Sequence, residues 1–103
     1  MAEIDPSVES YLAAGREERL ASFIDFLRIP SVSADPAYAA DCRRAAEWLA
    51  DRLRVAGLEH VEASETGGHP MVYGDWLGAD GAPTVVVYGH YDVQPPDPLA
   101  EWT

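Results

Sequence analysis

Two residues near the end of the chain have the types and spacing of a metal ligand and its hydrogen-bond partner. His90 and Asp92 are separated by one residue in the stretch YGHYDVQPP. In an extended segment their side chains would face the same space, while Tyr91 would face away. A histidine that binds a metal through one ring nitrogen usually donates its other N–H to a carboxylate. Two interpretations stay open at this point: a metal ligand with its orienting acid, or a purely structural pair.

The residues before His90 predict a buried strand that ends at this pair. The stretch TVVVYG, residues 84–89, is apolar on both faces, which is typical of a central strand covered by helices on both sides. Active sites in open α/β sheets gather at the carboxyl ends of the strands. We therefore expect His90 to lie at such an end, with Gly89 keeping the backbone beside it uncrowded.

The other residues with catalytic or metal-binding side chains form no recognisable motif. The sequence contains no G-x-S-x-G, no H-E-x-x-H, no C-x-x-C and no glycine-rich phosphate loop. We expect His60 to face solvent and His69 to have a structural role in a turn. Cys42 is expected to be a small buried thiol on the apolar side of a helix.

A first helix is predicted between Asp5 and Pro30. Asp5 followed by Pro6 is typical of an N-cap and a first helical position. Pro30 ends the helix, because a residue before proline is disfavoured in the α region. Gly15 weakens the middle and is expected to bend or split the helix. The apolar residues at helical spacing are Tyr11, Leu12, Leu20, Phe23, Ile24 and Leu27.

A second helix is predicted between similar signals. Asp35 and Pro36 repeat the pattern of the first helix start, and Gly57 suits the position after the last turn. The predicted apolar stripe consists of Cys42, Ala45, Ala46, Leu49, Leu53 and Ala56.

After the second helix the hydrophobic period changes to two. Residues 58–65 alternate weakly, residues 71–77 form a second candidate strand, and Gly67–Gly68 suits a hairpin turn between them. With the buried strand at 84–89, the predicted order is helix, helix, strand, strand, strand. The fold class is therefore α/β. A hairpin and one buried strand cannot close a covered sheet, so further strands and helices are expected.

The composition limits the classes of partner. The 103 residues allow one domain at most, and 18 acidic residues against 7 arginines give a net charge of −11. Nucleic acids and anionic membranes require a basic face, so neither is expected as a partner. The chain has one cysteine, no signal-peptide pattern, and no apolar run near the ~20 residues that span a bilayer. We predict a cytoplasmic protein.

The stretch VVVYGHYDVQPPDPLAEWT resembles the first metal motif of the dinuclear zinc peptidase family. That family includes aminoacylase, carboxypeptidase G, succinyl-diaminopimelate desuccinylase, acetylornithine deacetylase and the carnosinase-like dipeptidases. The form YGHYDVQP with a following tryptophan is most similar to the dipeptidase branch. Upstream, FLRIPSVSADP, AAEWLADRLRVAGLEHVE and GHPMVYGDWLG are also similar to family segments. The resemblance therefore covers the whole chain in register.

The resemblance implies a role for individual residues. His90 matches the ligand of one zinc ion. Asp92 matches the acid that orients this histidine, and we predict it as a catalytic residue in that role. Trp102 matches a tryptophan in the loop after the motif and receives no chemical role.

The resemblance also implies the fold and the activity. Residues 1–103 would be the N-terminal part of a mixed-sheet catalytic domain, incomplete and without a complete second domain. The complete family site holds two zinc ions, with cobalt or manganese as alternatives, and hydrolyses amide bonds in dipeptides or N-acyl amino acids. A full-length protein could form a homodimer. The other site residues of the family lie downstream of this motif and match nothing here, so we expect the 103-residue chain alone to be inactive.

Two alternatives come from other classes of function. The chain could be a non-catalytic acidic interaction domain in which His90 and Asp92 form a structural pair. It could instead be one half of a split metalloenzyme, completed by a second polypeptide that carries the missing ligands.

Overall fold

The computed structural model describes residues 3–103, with helices in the first half and a β-hairpin after them. The regular elements are α1 (Pro6–Ala14), α2 (Arg16–Leu27), α3 (Ala39–Val55), β1 (Glu59–Ser64) and β2 (Met71–Asp75). Short 3₁₀ turns lie at Pro36–Tyr38 and Leu99–Glu101. The described residues thus combine helices with a two-stranded sheet, which agrees with the predicted α/β class at this coarse level.

Aspartate followed by proline starts both helical regions, as predicted. The Asp5 carboxylate accepts a hydrogen bond from the Ser7 backbone N–H at 2.8 Å. The Asp35 carboxylate accepts one from the Ala37 N–H at 2.9 Å, and a 3₁₀ turn leads from there into α3. Each cap satisfies a backbone donor that has no partner inside the helix.

Gly15 splits the first predicted helix into α1 and α2, so the described residues contain three α-helices rather than two. The Arg19 guanidinium crosses this position and donates to the Leu12 carbonyl oxygen. A β-carbon at residue 15 would clash only with the flexible end of the Arg19 side chain, so glycine is not required for space here. Its effect on the helix is its low helix propensity.

The core lies where α3 packs against the hairpin. Cys42, Ala45 and Ala46 are completely buried, and Ala50 is nearly so. Leu49 and Leu53 are half-buried, whereas Ala56 at the end of the predicted stripe is exposed. The predicted apolar stripe is thus confirmed except at its last residue, Ala56, which follows the end of α3 as its C-cap.

The predicted hairpin is confirmed, but its connection is longer than a tight two-residue turn. β1 and β2 pair antiparallel, with Ser64 opposite Met71 next to the connection. Residues 65–70 join them, and Gly67 takes a left-handed φ of +84°. The Thr66 hydroxyl donates to the His69 carbonyl oxygen at 2.7 Å, which closes this loop. Side-chain bonding here stabilises a wider turn.

The prediction of a buried central strand at 84–89 is wrong for the described residues. This segment forms no regular secondary structure, and Val85 to Tyr88 are 82–91% exposed. A buried strand needs neighbours on both edges and a layer on each face. Within residues 3–103 the only strands that form a sheet are β1 and β2, which pair with each other. The apolar pattern is present, but its packing partners are not among these residues.

The apolar faces of α1 and α2 are also largely open. Their six stripe residues are 40–72% exposed. α2 contacts α3 through Phe26 and Trp48, whose ring centroids are 4.9 Å apart. None of the helices in residues 3–103 combines the length and the apolar character needed to cross a membrane.

Candidate functional site

The structure brings His90 and Asp92 together, as their spacing predicts. His90 Nδ1 lies 2.9 Å from Asp92 Oδ1 and 3.1 Å from the Asp92 backbone carbonyl oxygen. Both neighbours are acceptors, which favours the tautomer with the proton on Nδ1; in that neutral tautomer Nε2 has a free lone pair. The His90 side chain is 77% exposed. The pair therefore offers one oriented imidazole nitrogen, although the metal-binding and catalytic roles of these residues remain predictions.

Asp92 is held from two sides. Its second oxygen, Oδ2, accepts a hydrogen bond from the Ser33 hydroxyl at 2.5 Å. The Ser33 hydrogen bond, followed by the one from His90, keeps the pKa of Asp92 below its usual value. These bonds favour the charged carboxylate. Asp92 is thus ionised at neutral pH, and its Oδ1 can accept a hydrogen bond from His90 Nδ1–H.

Residues 31–33 position the backbone around this pair. Val93 donates its N–H to the Ser31 carbonyl oxygen at 2.9 Å, and Val32 and Val93 form an isolated parallel bridge. The Ser31 hydroxyl donates to the Tyr91 carbonyl oxygen at 2.9 Å. The His90–Asp92 motif is therefore held by a loop about 60 residues earlier in the chain.

Ser31 and Ser33 lie between the two predicted helices, and no sequence motif indicated a role for them. The available signal was two hydroxyl residues that flank one apolar residue, a spacing that puts both side chains on one side of an extended segment. That signal does not identify their partners. The long-range pairing of Val32 with Val93 brings them to the motif.

Tyr91 and Cys42 lie beside the pair but serve packing. The Tyr91 hydroxyl donates to the Pro70 carbonyl oxygen at 2.5 Å, and burial raises the pKa of this phenol. Cys42 is fully buried, as predicted. Burial is the main cause that raises the pKa of its thiol, and the negative charge of Asp92 adds to it. The thiol stays protonated at neutral pH, which makes it a poor metal ligand.

His69 has the structural role predicted for it. Its Nε2 lies 2.9 Å from the Ser33 carbonyl oxygen, so the ring fastens the hairpin connection to the segment that holds Asp92. His60 is exposed, as predicted, but it also forms a pair that the sequence did not indicate. His60 Nδ1 lies 2.8 Å from Asp75 Oδ1.

The His60 pair belongs to a second group of potential ligands on the hairpin. Ligand atoms of Glu59, His60 and Asp75 lie within 4.8 Å of one another. Asp75 raises the pKa of His60, first through its hydrogen bond and then through its charge. The bonds from His60 and Tyr73 lower the pKa of Asp75. A cation could sit here, but the bonds within the group already explain its geometry.

The residues around His90 supply one ligand of a zinc site and not a complete ligand set. A catalytic zinc ion needs about three protein ligands and an open position. Within residues 3–103, the group of three potential ligands is the one on the hairpin, and His90 is not part of it. The chemistry of His90 is nevertheless suitable, because a neutral imidazole with a free Nε2 and a carboxylate at Nδ1 is a common zinc-ligand arrangement.

One curated relative supports the dipeptidase resemblance. The chain is 34% identical over 95 residues to a Cys-Gly metallodipeptidase of Candida albicans. The match covers 77% of this chain and 20% of that protein, so the chain spans about one fifth of the length of its relative. No protein-family model matches the chain, and no solved structure matches it. The relationship confirms the resemblance to dipeptidase-type metallopeptidases.

Proposed function

We propose that this chain, a relative of a Cys-Gly metallodipeptidase, is the N-terminal part of the catalytic domain of a zinc-dependent dipeptidase. The activity would be hydrolysis of the amide bond in dipeptides or N-acyl amino acids. The observation that carries the proposal is the 2.9 Å contact between His90 Nδ1 and Asp92 Oδ1, which leaves Nε2 available as a ligand. The 34% identity to a metallodipeptidase supports the same assignment.

The chain's own residues would contribute one ligand and its support. His90 would hold one zinc ion through Nε2, while the Asp92 carboxylate keeps the proton on Nδ1. Zinc, when bound, supplies a water molecule of lowered pKa for attack on the amide carbonyl. In this proposal a general base, further ligands and the second zinc position come from residues other than those described. Cobalt or manganese could replace zinc in such a site.

Because the chain spans about one fifth of its relative, activity is proposed for a completed protein and not for these 103 residues alone. The missing ligands would be supplied either by the same polypeptide or by a second one, as in a split enzyme. Both forms of completion would cover the exposed apolar segment at residues 85–88. A cytoplasmic location and a homodimeric full-length protein belong to the same proposal.

Zinc titration of matched histidine variants tests the assignment. We expect weak zinc binding to the chain, seen as zinc-dependent shifts of the His90 ring signals in NMR and as low-affinity heat in calorimetry. His90→Ala should abolish this binding, because it removes the ligand. His60→Ala is the matched control, since it removes another exposed imidazole that is paired with an aspartate. Zinc binding that survives His90→Ala but disappears in His60→Ala would contradict the proposal and place the metal on the hairpin.

A further inference from the structure

We propose that Ser33 is a positioning residue for the metal motif: its hydroxyl fixes the Asp92 carboxylate and, through it, the orientation and tautomer of His90. This inference rests on the proposed function. Ser33 would not touch metal or substrate. Its role is to hold the carboxylate that, together with the Asp92 backbone carbonyl oxygen, favours a proton on His90 Nδ1.

The two oxygens of the Asp92 carboxylate have different hydrogen-bond donors. Asp92 Oδ1 faces His90 Nδ1 at 2.9 Å, and Oδ2 accepts the Ser33 hydroxyl at 2.5 Å. The second distance lies within the short range of hydroxyl–carboxylate bonds, about 2.5–2.7 Å, which are stronger than neutral ones. With one donor on each oxygen, the carboxylate cannot rotate without losing a bond. Without Ser33, a half-exposed carboxylate held by one exposed histidine would be free to turn to water.

Ser33 is itself held in place by contacts with other segments. Its carbonyl oxygen faces His69 Nε2 at 2.9 Å. The residue before it, Val32, is buried and bridges to Val93, which directly follows Asp92. The hydroxyl donor and the carboxylate acceptor therefore sit on two backbone segments that are tied to each other. A hydroxyl donor on such a segment holds the Asp92 carboxylate in one orientation.

A purely structural role for Ser33 makes a different prediction. If the hydroxyl only joined the loop to the motif, its removal would lower stability and leave the His90 tautomer unchanged. If it positions Asp92, its removal would change the His90 ring even in the absence of metal. The ¹⁵N signals of a histidine ring separate these cases, because they report which nitrogen carries the proton.

The experiment compares Ser33→Ala with Ser33→Thr, which keeps the hydroxyl, and with Ser10→Ala, an exposed serine of α1, as the matched control. Asp92→Asn serves as the reference for complete loss of the carboxylate. In the metal-free chain, Ser33→Ala should shift His90 from the Nδ1–H tautomer toward a mixture. The zinc affinity of Ser33→Ala, read from the His90 ring signals, should be about tenfold lower than that of the wild type. This is the lower end of the ~10–100-fold losses typical of residues that support metal ligands. Ser33→Thr should restore both readouts.

The proposal is overturned if Ser33→Ala matches Ser10→Ala in both tautomer and zinc affinity. Circular dichroism checks that each variant is folded. If Ser33→Ala fails to fold, the near-isosteric pair Ser33→Thr and Ser33→Val decides, because it differs only by hydroxyl against methyl. If His90→Ala leaves zinc binding unchanged, the proposed function fails. If His90→Ala abolishes zinc binding but Ser33 variants have no effect, only this inference fails.

Discussion

At the scale of single residues, hydrogen bonds from neighbours lower the pKa of the aspartate in each histidine–aspartate pair. Asp92 receives bonds from Ser33 and His90, and Asp75 receives bonds from His60 and Tyr73. Both carboxylates are therefore ionised at neutral pH. The pairs differ in where the additional hydrogen bond to the aspartate comes from. Asp92 accepts one from Ser33, far away in the sequence, whereas Asp75 and its donors all lie on one hairpin.

The hairpin pair gives a pH prediction. Asp75 raises the pKa of His60, so this contribution to stability is present below about pH 6.5 and disappears as the pH rises through the raised pKa. The lowered pKa of Asp75 acts in the opposite direction: its contribution is present above about pH 3.9 and disappears as the pH falls through the lowered value. The pair should therefore stabilise the hairpin most between about pH 4 and 6.5.

NMR titration of the His60 ring checks this prediction. Asp75→Asn should bring the pKa of His60 down toward about 6.5, because its main partner loses its charge. Glu62→Gln is the matched control, since it removes an exposed carboxylate from the same strand. Equal His60 titration in the wild type and Asp75→Asn would show that the pair does not form in solution.

At the scale of elements, helix ends are defined by interactions between close neighbours in the chain. α3 ends where Gly57 adopts a φ of +91° and donates its N–H to the Arg54 carbonyl oxygen at 3.0 Å. Leu58 then donates to the Leu53 carbonyl oxygen at 3.0 Å. Together these bonds form a Schellman-type helix end, which requires a left-handed residue that glycine provides without strain.

Gly57→Ala should destabilise the chain by about 1–2 kcal/mol, because a left-handed conformation is strained for a residue with a β-carbon. A β-carbon at residue 57 would meet no neighbour within 4 Å, so the cost is backbone strain alone. Urea unfolding followed by circular dichroism measures it.

Gly89→Ala is the control for this substitution. Its β-carbon also meets nothing within 4 Å, and Gly89 has no positive φ. Its stability should change by less than about 0.5 kcal/mol. Equal destabilisation by both substitutions would show that the φ at residue 57 is not the cause. The open space at Gly89 also corrects the expectation that crowding beside His90 requires a glycine there.

At the scale of the whole molecule, the chain exposes far more surface than a compact protein of its size. Its accessible surface is 8625 Å², against roughly 5,700 Å² expected for a folded monomer of 11.2 kDa. Its radius of gyration is 16.8 Å, against about 13 Å for a compact domain of this length. Much of the excess is apolar, on α1, α2 and the segment 85–88.

We therefore expect the purified 103-residue chain to self-associate through these exposed apolar surfaces, and to show no dipeptidase activity with added zinc. Exposed apolar segments of high β-propensity pair readily with other chains. Light scattering, near-UV circular dichroism of the three tryptophans and a dipeptide hydrolysis assay provide the measurements.

Charged variants locate the associating surface. Val86→Lys should reduce association, because it places a charge in the exposed apolar segment. Val55→Lys is the control, since it changes an exposed valine at the end of α3. A wild-type chain that stays a monodisperse monomer would contradict this prediction and favour the interaction-domain alternative.

The sequence by itself determined the features that depend on close neighbours in the chain. Asp5 and Asp35 start helical regions, Gly15 interrupts one, and Gly57 ends another, because each acts on backbone groups only a few residues away. The contact between His90 and Asp92 belongs to the same class, since two residues in an extended backbone already share a side.

Only the tertiary structure decided which distant groups meet. The Ser33–Asp92 bond joins residues 59 positions apart, and no local pattern gives that partner. The same reason explains the error at residues 84–89: an apolar pattern shows that a strand can be buried, but burial depends on neighbours from elsewhere. Local propensity is a property of the segment, whereas packing is a property of everything around it.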